Sequence, residues 1–197
     1  MRSQGFNVEA IDLAGAGADS RRVPEEVSTF AEYNQPLTNL IEASPEGEKL
    51  ILVGHSFGGM SLGLAMEAYP EKIAAGVFVT AFMPDTTHSP SHILEQAYLS
   101  FSDQDLTLAT LMVRTTALFL AELGKKPALT KERYGSVDKF YILCDEDKAI
   151  SADLQQLMIK NNPVKEVIQI KGADHMPMLS KSQELCNFLV KIINYYD

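Results

Sequence analysis

A serine between glycines is the residue of this chain whose setting best suits chemistry. An apolar run leads into Gly54-His55-Ser56-Phe57-Gly58, and a helix-like pattern follows. A sharp turn between a strand and a helix projects a serine hydroxyl out of the sheet, and we expect the glycines at 54 and 58 to leave room for it. The Phe57 N–H would lie at a helix start, where it is unpaired and can donate to an oxyanion. The pattern predicts Ser56 as a nucleophile.

A serine nucleophile needs a base and an acid that orients the base. His175 lies in a loop between the last predicted strand and the last helix, and Asp147 follows the strand before that. Sites in parallel α/β sheets gather beyond the carboxyl ends of the strands, so Ser56, Asp147 and His175 would meet there. The order Ser, Asp, His along the chain is that of the α/β-hydrolases.

Three other histidines compete with His175 for the role of base. His55 adjoins the serine but is expected to point elsewhere, and His88 and His92 lie in the middle of the chain, away from the predicted strands. Position therefore favours His175.

The identity of the acid is less determined by the sequence. Asp145 and Asp147 are two positions apart with Glu146 between them, and carboxylates after a strand are often turn formers. Spacing favours Asp147 and leaves Asp145 open. Asp174, directly before His175, is expected to cap the loop.

Alternating strands and helices surround these residues. Strands are predicted at 6–13, 50–53, 73–81, 137–144 and 164–170. Helices are predicted at 28–43, with a kink expected at Pro36, from the serine turn to about Tyr69, at 151–161 and at about 180–196. Gly59 is expected to allow close packing of a helix on a strand. The alternation predicts an α/β fold, a mostly parallel sheet flanked by helices, in one domain spanning 1–197.

Residues 82–136 follow a different pattern. They show no strand and carry helical patches at 93–99, 106–113 and 118–123. We therefore expect 1–81 and 137–197 to form the core of the domain and 82–136 to form a reduced helical cap.

Composition limits the classes of partner. The 197 residues include 17 Lys and Arg against 26 Asp and Glu, a formal charge of −9 at pH 7. Such a charge argues against nucleic acid and offers no basic face to a membrane. Cys144 and Cys186 form no metal or disulfide pattern, and no apolar run approaches 18 residues. These features predict a cytoplasmic protein without a metal.

Four segments carry a resemblance to a known family: GHSFGGMSLGLAMEAYPEKI, AFMPD, FYILCDEDKAI and IKGADHMPML. They resemble the plant methylesterases, which include the salicylate-binding methyl salicylate esterase, the methyl jasmonate esterases and the methyl indole-acetate esterases. This family is related to the α-hydroxynitrile lyases. The resemblance covers nearly the whole chain.

The resemblance implies an α/β-hydrolase fold with no metal or cofactor and a small methyl ester as substrate, hydrolysed to methanol and an acid hormone. It implies Ser56 as nucleophile, Asp147 as acid, His175 as base, Phe57 as an oxyanion-hole donor, and Phe82 and Met176 as residues that line the acyl pocket. It leaves open whether the chain forms a homodimer.

The lyase relatives differ at three positions near the serine and the base. They typically carry a Glu before the serine, a Cys after it and a Lys after the histidine, where this chain has His55, Phe57 and Met176. A lyase that handles cyanide needs a cation near the leaving group, and Met176 offers none. The resemblance therefore favours an esterase over a lyase.

Two departures from the family pattern bear on activity. Family members begin with a strand and a His-Gly loop, which supplies the second oxyanion N–H, before the segment that opens this chain. Against the family pattern, a block of cap residues is also absent between Gln96 and Phe101. Loss of one oxyanion donor typically costs about 10²–10³ in kcat. An impaired member that only binds small ligands is thus the alternative expectation.

Overall fold

The computed structural model describes residues 1–100 and 119–196. Its centre is a four-stranded, fully parallel sheet, in which neighbours in space are also successive along the chain. The strands are β1 (Leu50–Ser56), β2 (Ile73–Ala81), β3 (Asp138–Cys144) and β4 (Glu166–Ile170). The parallel α/β architecture predicted from the alternating elements is confirmed.

Helices connect the strands. They are α1 (Phe30–Tyr33), α2 (Gln35–Ala43), α3 (Gly58–Ala68), α4 (His92–Ser100), α5 (Leu120–Leu123), α6 (Ala152–Asn161), α7 (Pro177–Ser180) and α8 (Ser182–Ile193). Short 3-10 helices lie at Arg2–Gln4, Pro70–Lys72 and Tyr134–Ser136. No helix in the described part of the chain is long and apolar enough to cross a membrane.

Two hydrophobic clusters cover the two faces of the sheet. Successive side chains of a strand point to opposite faces, so Val77 and Val79 of β2 pack with α8, while Phe78 between them packs with the cluster that contains α3. Nearly all of β2 is buried. The central strands are apolar on both sides because helices cover both faces.

One predicted strand is wrong: residues 6–13 form no strand. A strand exists only where its backbone N–H and C=O groups pair with a neighbour. Among the described residues, the ladder that begins with β1 runs to β2, β3 and β4, and residues 6–13 belong to none of its pairs. An apolar, β-prone pattern cannot by itself supply that partner.

Two predicted helices are each divided in the structure. The helix at 28–43 breaks at Asn34, and Pro36 lies in the first turn of α2, where its fixed φ and missing N–H are tolerated. The helix predicted at 180–196 is interrupted at Lys181, between α7 and α8.

The predicted helical patches of the middle segment have mixed outcomes. The patch at 93–99 lies within α4, and the end of the patch at 118–123 forms α5. The patch at 106–113 lies outside the described residues.

Candidate active site

The serine turn has the strained geometry that its sequence suggests. Ser56 ends β1 with φ of 53°, in the left-handed region that side chains other than glycine rarely adopt. Such a conformation costs about 1–3 kcal/mol and persists only where the surrounding structure holds it. The turn directs the chain from β1 into α3, which begins two residues later.

Of the three glycines at this turn, Gly54 and Gly59 have no room for a side chain. A Cβ on Gly54 would lie 2.8 Å from the Gly58 carbonyl oxygen, and a Cβ on Gly59 would lie 2.1 Å from the Phe82 carbonyl oxygen. A Cβ on Gly58 would meet nothing within 4 Å, so the expectation that Gly58 is needed to leave room is wrong. Gly59 allows α3 to approach the end of β2, as expected.

The structure brings Ser56, His175 and Asp147 into one hydrogen-bonded row. His175 Nε2 lies 2.9 Å from Ser56 Oγ, and His175 Nδ1 lies 2.8 Å from Asp147 Oδ2. An ionised carboxylate only accepts hydrogen bonds, so Nδ1 carries the hydrogen and the Nε2 lone pair faces the serine hydroxyl. This is the tautomer in which the imidazole can take the serine proton.

Asp147 is buried and fully hydrogen-bonded. Its side chain has 0% exposure. Its Oδ1 accepts from the N–H groups of Ala149 at 2.7 Å and Ile150 at 2.9 Å, and its Oδ2 accepts from His175 and from the Thr80 hydroxyl. Burial acts to raise the pKa of Asp147, but the hydrogen bonds that the carboxylate accepts outweigh it and lower the pKa below its usual value. The group is therefore ionised at neutral pH.

The other two aspartates near this site support its loops. Asp145 Oδ1 accepts from the Gly172 N–H at 2.7 Å, and its Oδ2 accepts from Gln169 Nε2 at 3.0 Å. Asp174 caps its loop, as expected, by accepting from the Met176 N–H at 2.9 Å. Of the two candidate acids that spacing left open, Asp147 is the one that contacts the histidine.

His55 contacts the candidate base, contrary to the expectation that it points elsewhere. Its Nε2 lies 2.6 Å from the His175 carbonyl oxygen, and the two rings are 4.7 Å apart between centroids. A carbonyl accepts, so His55 Nε2 carries the hydrogen. Burial lowers the pKa of His55, which favours the neutral ring. Its place next to the serine was visible in the sequence, but nothing there indicated this partner.

The predicted oxyanion donor and pocket residues lie around the serine turn. The Phe57 N–H stands ahead of the first residue of α3, and it has no acceptor among the described residues. The Phe82 N–H donates to the Ser56 carbonyl oxygen at 3.0 Å. Met176 follows the histidine directly and is 41% exposed. A backbone hydrogen bond thus holds Phe82 beside the candidate nucleophile, and Met176 adjoins the candidate base in the sequence.

Other clusters offer less chemistry. His88 and His92 stack on each other at 4.1 Å, and His88 Nδ1 lies 2.8 Å from Asp85 Oδ2. Within residues 1–100 and 119–196, no three His, Cys, Asp or Glu side chains are grouped so that they could hold a metal. A cavity of about 220 Å³ between α2 and α3 is lined by none of the three residues of the row.

Comparisons with known proteins show which family this chain is similar to. Residues 1–188 match the model of the alpha/beta hydrolase family. Salicylic acid-binding protein 2 of Nicotiana tabacum is 41% identical over 100% of this chain and 90% of that protein, and methyl jasmonate esterase 1 of Vitis vinifera is 39% identical over 100% and 89%. The crystal structure of polyneuridine aldehyde esterase covers 97% of this chain and 89% of its own, with a TM-score of 0.88 and 37% identity.

The alignment with the tobacco protein extends over 235 residues, although this chain has 197. The tobacco protein therefore carries residues inside the matched span that this chain lacks. The fold matches nonetheless over nearly the whole chain. By family model, sequence identity and structure, the chain belongs to the α/β hydrolase family and, within it, to the group that contains the plant methylesterases.

Proposed function

We propose that the chain is a serine esterase that hydrolyses methyl esters of small plant acids, with methyl salicylate, methyl jasmonate and methyl indole-3-acetate as candidate substrates. The observation that carries the proposal is the row Ser56 Oγ, His175 imidazole and Asp147 carboxylate, joined at 2.9 and 2.8 Å. The similarity to a methyl jasmonate esterase and to a salicylic acid-binding protein supports the choice of esters.

Acylation would begin at the serine. Ser56 Oγ attacks the ester carbonyl carbon while His175 Nε2 takes the hydroxyl proton, and the buried Asp147 stabilises the resulting imidazolium. The carbonyl oxygen becomes an oxyanion, which the free Phe57 N–H can stabilise. When the intermediate collapses, His175 returns the proton to the departing methoxide, and methanol leaves.

Deacylation would use the same groups on water. His175 Nε2 takes a proton from a water molecule that attacks the acyl-serine carbonyl. Collapse of the second tetrahedral intermediate expels Ser56 Oγ, which regains its proton from His175. The acid is released, and Ser56 and His175 return to their starting states.

The residue after His175 separates this proposal from a lyase. Met176 brings an uncharged thioether to the place where a lyase relative carries a lysine. The half-buried His55, whose pKa is lowered by burial, supplies no cation either. Met176 and the half-buried Phe82 would instead offer apolar surface to the ring or chain of an acyl group.

The proposal is tested by labelling and by turnover. A fluorophosphonate should attach to Ser56 in the purified protein and not to a Ser56→Ala variant, whose fold is checked by circular dichroism. Each of the three methyl esters is then incubated with both proteins, and released methanol is measured. Turnover of at least one ester by the parent protein alone is the expected result.

Two other outcomes would reject the proposal. Calorimetric binding of salicylate, jasmonate or indole-acetate, together with no labelling and no methanol release, would identify a non-catalytic ligand-binding member of the family. Release of cyanide from a cyanohydrin without ester turnover would identify a lyase.

A further inference from the structure

Thr80 lies at a bulge in β2, beside the candidate site. β1 and β2 pair up to His55 opposite Val79, and the next pair is Ser56 opposite Ala81. Thr80 is therefore an extra residue, and its φ of 36° is in the left-handed region, which a β-branched residue rarely adopts. Bulges next to active sites serve to re-aim a side chain.

The re-aimed side chain contacts the candidate acid. Thr80 is 0% exposed, and its hydroxyl donates to Asp147 Oδ2, the same oxygen that accepts from His175 Nδ1. The hydroxyl must be the donor because the carboxylate has no hydrogen to give. The other oxygen, Oδ1, is held by two backbone N–H groups. Thr80 thus controls the environment of the one oxygen that faces the base.

We propose that Thr80 is a positioning residue of this site, whose hydroxyl holds Asp147 Oδ2 and takes up part of its negative charge, and so weakens the attraction of the carboxylate for a proton on His175. The inference rests on the proposed esterase function. In a dry site, a lone pair left without a donor stays strongly negative. Without the hydroxyl, the carboxylate would therefore stabilise the imidazolium form of His175 more strongly.

The test compares Thr80→Val and Thr80→Ala, which remove the hydroxyl, with Thr80→Ser, which keeps it. Valine also keeps the β-branched shape, so the backbone strain is matched. In the Val and Ala variants, the acid limb of the kcat/KM profile for a methyl ester should move to higher pH by about 0.5–1 unit. The Ser variant should follow the parent profile.

The neighbouring ionisable groups are the same in all these proteins. Those that face the Asp147–His175 pair are His55 on β1, Tyr141 and Cys144 on β3, and Asp174 in the loop before His175. A shift in the Val and Ala variants that is absent from the Ser variant therefore reports the hydroxyl and not these groups.

A second measurement does not need an active enzyme. NMR titration of the His175 ring signals should show a higher midpoint in the Val and Ala variants than in the parent and Ser proteins. If that shift occurs while no ester is hydrolysed, the role of Thr80 stands and the esterase proposal fails. If esters are hydrolysed but neither the acid limb nor the midpoint of the His175 ring titration moves, the role of Thr80 is refuted. A loss of thermal stability without either shift refutes it as well.

Discussion

Asp145 and Asp147 lie two residues apart in the loop after β3, and their side chains have different roles. Asp147 turns inward, is buried and meets His175, while Asp145 is exposed and fastens the turn after β4 through Gln169 and Gly172. Both carboxylates accept backbone N–H groups, so neither local sequence nor turn chemistry separates them. The distinction arises only when the β4 loop delivers the histidine to one of them.

Asp147→Asn should therefore reduce kcat far more than Asp145→Asn. An amide in place of the carboxylate can donate to His175 Nδ1, which favours the wrong imidazole tautomer, and such changes reduce kcat by about 10⁴-fold in serine hydrolases. Asp145→Asn should stay within about threefold of the parent protein because that side chain contacts only the turn. Steady-state hydrolysis of a methyl ester checks both variants. Equal losses would show that the contact between Asp147 and His175 does not carry the activity.

The sequence identified those candidate site residues whose place in the site follows from their order along the chain. Ser56 and His175 follow from the strand–turn–helix pattern and from the loop before the last helix, and the structure places them 2.9 Å apart. Thr80 and His55 gave no signal. The role of Thr80 depends on a bulge in β2, and that of His55 depends on a carbonyl 120 residues away. Contacts of this kind arise from tertiary packing.

Among the elements, the junction of β1 and α3 is the most tightly constrained. The two close approaches at Gly54 and Gly59 involve backbone atoms, which cannot move aside as a flexible side chain can. Gly58 has open space and lies at the first position of α3. The three glycines of this short motif therefore differ in what they tolerate.

Gly54→Ala and Gly59→Ala should each destabilise the protein, whereas Gly58→Ala should not. Overpacking typically costs about 1–3 kcal/mol, and Gly59 should reach the upper end because its Cβ would overlap the Phe82 carbonyl oxygen. Alanine at 58 should be neutral or gain up to about 1 kcal/mol through helix propensity and a less flexible unfolded chain. Urea unfolding of the three variants measures this order. A destabilised Gly58→Ala variant would contradict it.

Elements were predictable where local pattern and tertiary context agree. Strands β2, β3 and β4 and helix α6 follow the predicted ranges closely, the strands because buried parallel strands are continuous apolar runs. β1 continues to Ser56, beyond the predicted 50–53. The strand at 6–13 failed because pairing is not a local property. The break at Lys181 was missed since that residue is neither a proline nor a glycine, whereas the break at Asn34 lies two residues before Pro36, where a kink was expected.

At the scale of the whole molecule, the parallel sheet gathers the site at one edge. β1 ends in Ser56, β3 is followed by the loop of Asp147, and β4 is followed by the loop of His175, so three parallel strands deliver one residue each. The sheet therefore holds the site in place. The packing that stabilises the fold also buries Asp147 and half-buries His55. Folding stability and protonation at the site are therefore coupled.

The free energy of unfolding should fall in two stages as the pH decreases. Burial lowers the pKa of His55 below its ordinary value of 6.5. Below pH 6.5 the unfolded chain takes up a proton at this histidine before the folded protein does, and stability declines by up to about 1.4 kcal/mol per pH unit until the folded pKa is reached.

The second stage comes from carboxyl groups that include Asp147, whose pKa lies below its ordinary value of 3.8, because the hydrogen bonds it accepts outweigh the opposing effect of burial. Its contribution is complete above pH 3.8 and is lost as the pH falls from there through the folded pKa. His55→Gln keeps an amide donor for the His175 carbonyl but cannot titrate, so it should remove the first stage and leave the second. Urea unfolding between about pH 2 and 8 compares the two proteins across both stages. Parallel stability curves over this range would show that His55 takes up its proton equally in the folded and unfolded states, and that the site does not hold it neutral.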